Sequence, residues 1–212
     1  MHRLFCAFAL VLVSLALLAP PPALAQGAYV VKPLVEKKLA KLPQGPLYWR
    51  VETLASAEEA RAAAGGGKWN PDTVSYDGAT SLFAEVAGKA WLFTLGPKGA
   101  STPGAKKVAE VGPVPQVEAP EYLLRVNHGY GPPGSRTPTH THPGSEAFYV
   151  VAGRLGQKTA HGEAFVDAGQ TMNGHPPGMP MEVFNAGTSD LTALIMFVVD
   201  ATKPFSSPAK FD

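Results

Sequence analysis

At 212 residues, with 45% of them hydrophobic, the chain can bury the core of one domain plus an extension to it. Eighteen Lys and Arg stand against seventeen Asp and Glu. No basic stripe or aromatic-interleaved basic pattern occurs, which argues against nucleic acid as a partner.

The start of the chain has the order of a secretory signal. Arg3 supplies the positive charge, Leu4–Leu18 the apolar run and Ala23-Leu24-Ala25 the small-residue cleavage site. Residues 1–25 are therefore predicted to be a signal peptide cleaved after Ala25. The single cysteine, Cys6, lies within it. The mature chain then has neither a disulfide nor a thiolate ligand, and as many acidic as basic side chains. Such a chain is expected to be secreted, into a bacterial periplasm, with no membrane contact in its mature form.

Residues 26–112 are predicted to form a β-rich extension with one or two short helices. Pro33–Leu42 is a short amphipathic stretch carrying Lys37, Lys38 and Lys41. It reads as a solvated face beside a docked apolar edge, the other reading being a membrane-surface helix. Leu47–Leu54 alternates and contains Tyr48, Trp49 and Val51, which suit a pleated surface. Ser56 and Glu59 form a capping box before an Ala- and Glu-rich run, Ala57–Ala64, ended by Gly65–Gly67. Thr80–Ala87 and Lys89–Leu95 read as a hairpin, and a strand Val108–Val111 follows the loop 96–107. Trp49 and Trp91 are assigned to the extension's core.

Pro113, Pro115 and Pro120 mark the crossing into residues 113–203, with 204–212 left as a tail. Short strands are predicted at Glu121–Val126, His140–Val151, Leu155–Thr159, Ala164–Val166, Met181–Asn185 and Leu191–Val199. Gly153-Arg154, His161-Gly162 and Ala186-Gly187 turn between them. Many short strands punctuated by Gly and Pro indicate an all-β sandwich or barrel.

Chemistry concentrates in GSRTPTHTHPGSEAFYVVAG, residues 134–153. In extended chain His140, His142 and Glu146 share one face, provided that the bend at Pro143-Gly144 keeps the parity. Two imidazoles and a carboxylate on one face can hold a divalent metal, as in 2-His-1-carboxylate sites. Phe148 and Tyr149 point to opposite faces, one into a barrel and one out. His128 and His161 are read as loop or strand-end histidines, and Arg125 as an anion-binding group if it points inward.

The stretch resembles the first motif of the cupin superfamily, Gly-x5-His-x-His-x3-Glu-x6-Gly. Gly134, His140, His142, Glu146 and Gly153 fill every fixed position. The second motif reads Gly-x5-Pro-x-Gly-x2-His-x3-Asn, and GQTMNGHPPGMPMEVFN matches it at Pro176, Gly178 and Asn185. Gly169 stands one residue too far upstream, and Met181 takes the place of the fourth ligand, a histidine. The resemblance covers roughly residues 115–203 and implies a double-stranded β-helix, the cupin jelly roll. It also implies metal ligands His140, His142 and Glu146, with Met181 at the fourth position. His175, six residues earlier, is the substitute for that place; otherwise Met181 simply packs in the barrel. A thioether favours iron or copper over a hard ion, with manganese, zinc or nickel also compatible. The extension is either a degenerate second cupin or extra strands covering the barrel, and the resemblance implies a homodimer. Two functions follow. One is a metal-dependent enzyme of oxygenase, isomerase or lyase type acting on a small molecule. The other is a cupin that binds a metal or small ligand without turnover.

Overall fold

The computed structural model describes residues 27–56, 58, 75–76, 79–99, 101–102 and 104–211. The signal peptide lies outside these residues, as does the helix expected at Ala57–Ala64 apart from Glu58. Fifteen strands are described. The first six are β1 (Val30–Leu39), β2 (Tyr48–Leu54), β3 (Ser75–Tyr76), β4 (Ala79–Val86), β5 (Lys89–Gly96) and β6 (Lys106–Val111). Then come β7 (Tyr122–Gly131), β8 (His140–Thr141), β9 (Gly144–Ala152), β10 (Arg154–Thr159), β11 (Gly162–Asp167) and β12 (Thr171–Asn173). The last three are β13 (Glu182–Asn185), β14 (Leu191–Asp200) and β15 (Ser207–Pro208).

The protein is all-β, and its barrel is a jelly roll. A five-stranded sheet in the order β1-β7-β14-β9-β12 faces a smaller one, β11-β10-β13, while β8 and β15 pair beside them. The extension forms a separate five-stranded sheet, β3-β4-β5-β2-β6. One strand from its side of residue 112 belongs elsewhere, since β1 pairs antiparallel with β7 from Val30↔Tyr130 to Leu39↔Tyr122. The amphipathic stretch Pro33–Leu42 is thus largely strand.

The long apolar run of β14 is explained by its place. It lies between β7 and β9 and is covered on both faces, which removes any need for alternating polar residues. Leu194, Met196 and Val198 pack into one core with Trp49, Val51, Trp91 and Phe93 of the extension. Ala193, Ile195, Phe197 and Val199 point the other way, into the barrel, with Phe148, Val150, Leu155 and Val183. Of the Phe148–Tyr149 pair, Phe148 enters the barrel, while Tyr149 packs outside it with its ring 5.8 Å from Trp91. Trp49 and Trp91 therefore serve a core shared by the extension and the large sheet.

Two turns follow from local chemistry. The β4–β5 hairpin closes through Ala87 and Gly88, both at positive φ (51° and 69°), as a two-residue primed turn requires. At Gly144 a Cβ would collide with the Val198 carbonyl oxygen. Glycine here lets β14 close on the start of β9, immediately after the bend at Pro143.

Candidate functional site

Side chains alternate along β9, so Glu146 shares the inward parity of Phe148 and Val150 and lies opposite Phe197 of β14. His140 and His142 arrive on β8 and the bend that follows it. All three border a cavity of about 360 Å³, together with Tyr29, Asn127, Val183, Ile195, Phe197 and Phe205. The parity expected from sequence thus holds across Pro143-Gly144.

Each imidazole is held by a backbone carbonyl. His140 Nδ1 donates to Pro138 O at 2.8 Å, and His142 Nδ1 to Phe205 O at 2.7 Å. Both Nε2 atoms are then unprotonated in the neutral ring, the arrangement that suits metal ligation. The rings meet edge to face with centroids 4.9 Å apart, and Phe197 and Phe205 flank His142 at 4.9 and 4.8 Å. This apolar packing keeps His142 neutral. Burial lowers its pKa to about 4, with smaller depressions from His140 and Arg125 and an opposing effect of the Phe205 hydrogen bond.

Glu146 is 2% exposed. Its Oε2 stands 4.0 Å from His142 Nε2, while Oε1 accepts a 2.5 Å hydrogen bond from Gln157 Nε2. Burial pushes its pKa up to about 8, against the lowering effect of Gln157. Met181 is equally buried. Its sulfur lies 3.5 Å from the same Gln157 nitrogen, and its backbone bridges to that of His140 in both directions. Met181 is thereby linked to Glu146 through Gln157.

Among the described residues, His128, His161 and His175 do not line this cavity. His175 is half-buried, its pKa lowered by burial and then by His161. His128 stacks against Tyr130 at 4.6 Å. Arg125 does not line the cavity: it pairs with Glu36 at 2.8 Å and lies 4.0 Å over the Phe205 ring. Sequence reasoning missed Tyr29, Asn127 and Gln157. Tyr29 stands just before a strand with no periodic signal to mark it, and the other two show their role only once β7 and β10 are paired. A larger cavity of about 640 Å³ lies between residues 40–47 and 113–119. It contains no histidine.

As donors, two oriented imidazoles and one buried carboxylate fit a divalent transition metal. Among the described residues, however, no group of three or more His, Cys, Asp or Glu side chains is placed to hold an ion as it stands.

A jelly roll with this cavity at its His-bearing end defines a class, and the sequence comparison names it. Residues 131–197 match the family model of the Cupin domain, so the chain carries a cupin domain. It has no match among curated proteins. Among solved structures it is similar to a DMSP lyase from Ruegeria pomeroyi (23% identity, 41% of this chain and 43% of that one, TM-score 0.36). It is also similar to an oxalate oxidase in complex with the substrate analogue glycolate (24%, 40% and 45%, TM-score 0.34). A third is a cupin-like protein from Thermotoga maritima (18%, 42% and 65%, TM-score 0.37). The chain spans less than half the length of the lyase and oxidase chains.

Proposed function

We propose that this protein is an exported, metal-dependent cupin enzyme acting on a small organic molecule in the 360 Å³ cavity. His140, His142 and Glu146 are its metal ligands, and Met181 is a buried sulfur beside them that biases the site towards iron or copper. The observation that carries this reading is the pair of Nδ1–H···O=C bonds, which presents both Nε2 lone pairs in a cavity that Glu146 also lines. A bound metal would supply Lewis-acid or redox chemistry there. The protein's own part is to hold both tautomers, to fix Glu146 through Gln157, and to exclude water with Phe197 and Phe205. Oxygenase, isomerase and lyase chemistry all suit such a site.

A second reading, ligand binding without turnover, is favoured by the burial that keeps Glu146 protonated near neutral pH. Metal analysis of the exported protein decides between them. The wild type is expected to carry a transition metal in about equimolar amount and to begin at Gln26. The His140→Ala/His142→Ala double variant should fold and carry none. Equal metal in wild type and double variant would sink the metal reading, and a metal-free wild type would leave ligand binding in its place.

A further inference from the structure

Two buried polar groups in the cavity wall are unaccounted for by the metal site. The Tyr29 hydroxyl and the Asn127 Nδ2 each lack a hydrogen-bond partner, although Tyr29 is 9% and Asn127 0% exposed. Burying a polar group without a partner is costly, so such a pair in a cavity wall points to a ligand. Their orientation is determined by neighbours. Arg125 Nε can only donate, and it donates to Asn127 Oδ1 at 2.7 Å. The amide therefore turns its N–H away from Arg125, on a residue that lines the cavity. The Tyr29 ring is admitted by Gly129, where a Cβ would stand 2.6 Å from its hydroxyl oxygen.

The rest of the wall decides what those donors meet. Val31, Val183, Ile195, Phe197 and Phe205 make it largely apolar, and no Lys or Arg lines it. Without a bound metal, a carboxylate buried there would lack a lining side-chain cation to pair with. A neutral oxygen acceptor has no such need.

We propose that Tyr29 and Asn127 form the recognition pair of this cavity, binding a small, uncharged, largely apolar molecule through a carbonyl or hydroxyl oxygen. The proposal rests on reading the cavity as the substrate site. It also gives the segment before β1 a role in specificity.

The test uses the full chain and three probes of similar size: acetophenone, ethylbenzene and benzoate. Affinities are measured by calorimetry for wild type, Tyr29→Phe and Asn127→Leu, with metal content read on the same samples. Wild type should bind acetophenone about 25- to 100-fold more tightly than ethylbenzene, the product of two hydrogen bonds, and benzoate least. Each variant should lose about five- to tenfold in acetophenone affinity, the scale of one hydrogen bond, and keep its ethylbenzene affinity. A loss of packing alone would weaken both. Wild-type acetophenone affinity in Tyr29→Phe, a preference for benzoate, or no binding of any probe would overturn the proposal. A metal-free wild type that still prefers acetophenone through Tyr29 would sink the metal reading and leave this one standing. A metal-loaded wild type with an unaltered Tyr29→Phe would do the reverse.

Discussion

Burial moves the two central titrating groups in opposite directions, and the signs of their effects on stability can be worked out. Glu146 is raised from an ordinary 4.5 to about 8. Between those values the folded chain keeps a proton that the unfolded chain releases, so metal-free stability falls as pH rises through that window. His142 is lowered from 6.5 to about 4. Between those values the unfolded chain binds the extra proton, and stability falls as pH drops. The two effects oppose each other between about 4.5 and 6.5, and only that of Glu146 acts from 6.5 to 8. In chelator, the urea midpoint is therefore expected to fall from pH 6.5 to 8.5 in wild type and to stay nearly level in Glu146→Gln. Equal slopes would show that another group carries the dependence. A ligated metal reverses the sign of the Glu146 effect, because it requires the carboxylate, and reinforces that of His142, because it requires the neutral imidazole.

The strands that could be read from sequence are those with a continuous apolar or alternating signal. β2, β4, β5, β9 and β14 are of this kind, and β14 owes its unbroken run to cover on both faces. β1 was hidden because Lys37 and Lys38 stand on a sheet edge with an exposed side, and the pairing that makes it a strand lies nearly a hundred residues away on β7. β12 and β15, at three and two residues, are too short to carry any period. At the candidate site, His140, His142 and Glu146 were legible from spacing. Tyr29 and Gln157 were not, since tertiary pairing alone brings them near Glu146. Gly144 joins the two kinds of information, being a motif-internal residue whose reason is a contact with β14. Gly144→Ala sets a methyl against the Val198 carbonyl and is expected to cost about 3 kcal/mol, as overpacked cores do. It should also reduce metal content, because the same bend phases His142 with Glu146. A variant as stable as wild type in urea would show that β14 can yield at this point.

At the scale of the whole molecule, the extension and the barrel share a core. Leu124, Val126, Leu194, Met196 and Val198, on the outer face of the large sheet, pack against Trp49, Val51, Trp91 and Phe93. Burying each of the first five contributes about 1.5–3 kcal/mol. Together that is on the order of 10 kcal/mol, comparable to the whole net stability of a typical domain. Residues 113–212 therefore lack a finished surface of their own. They also lack β1, whose pairing with β7 covers that strand's free edge, and Tyr29. A fragment of residues 113–212 is expected to be insoluble, or to bind a hydrophobic dye and unfold without a cooperative transition. Co-expression with residues 26–112 should recover soluble, cooperatively unfolding material, since the missing face and edge strand are then supplied in trans. A soluble monomeric fragment with a sharp unfolding transition would show instead that the barrel folds alone and that the extension merely covers it.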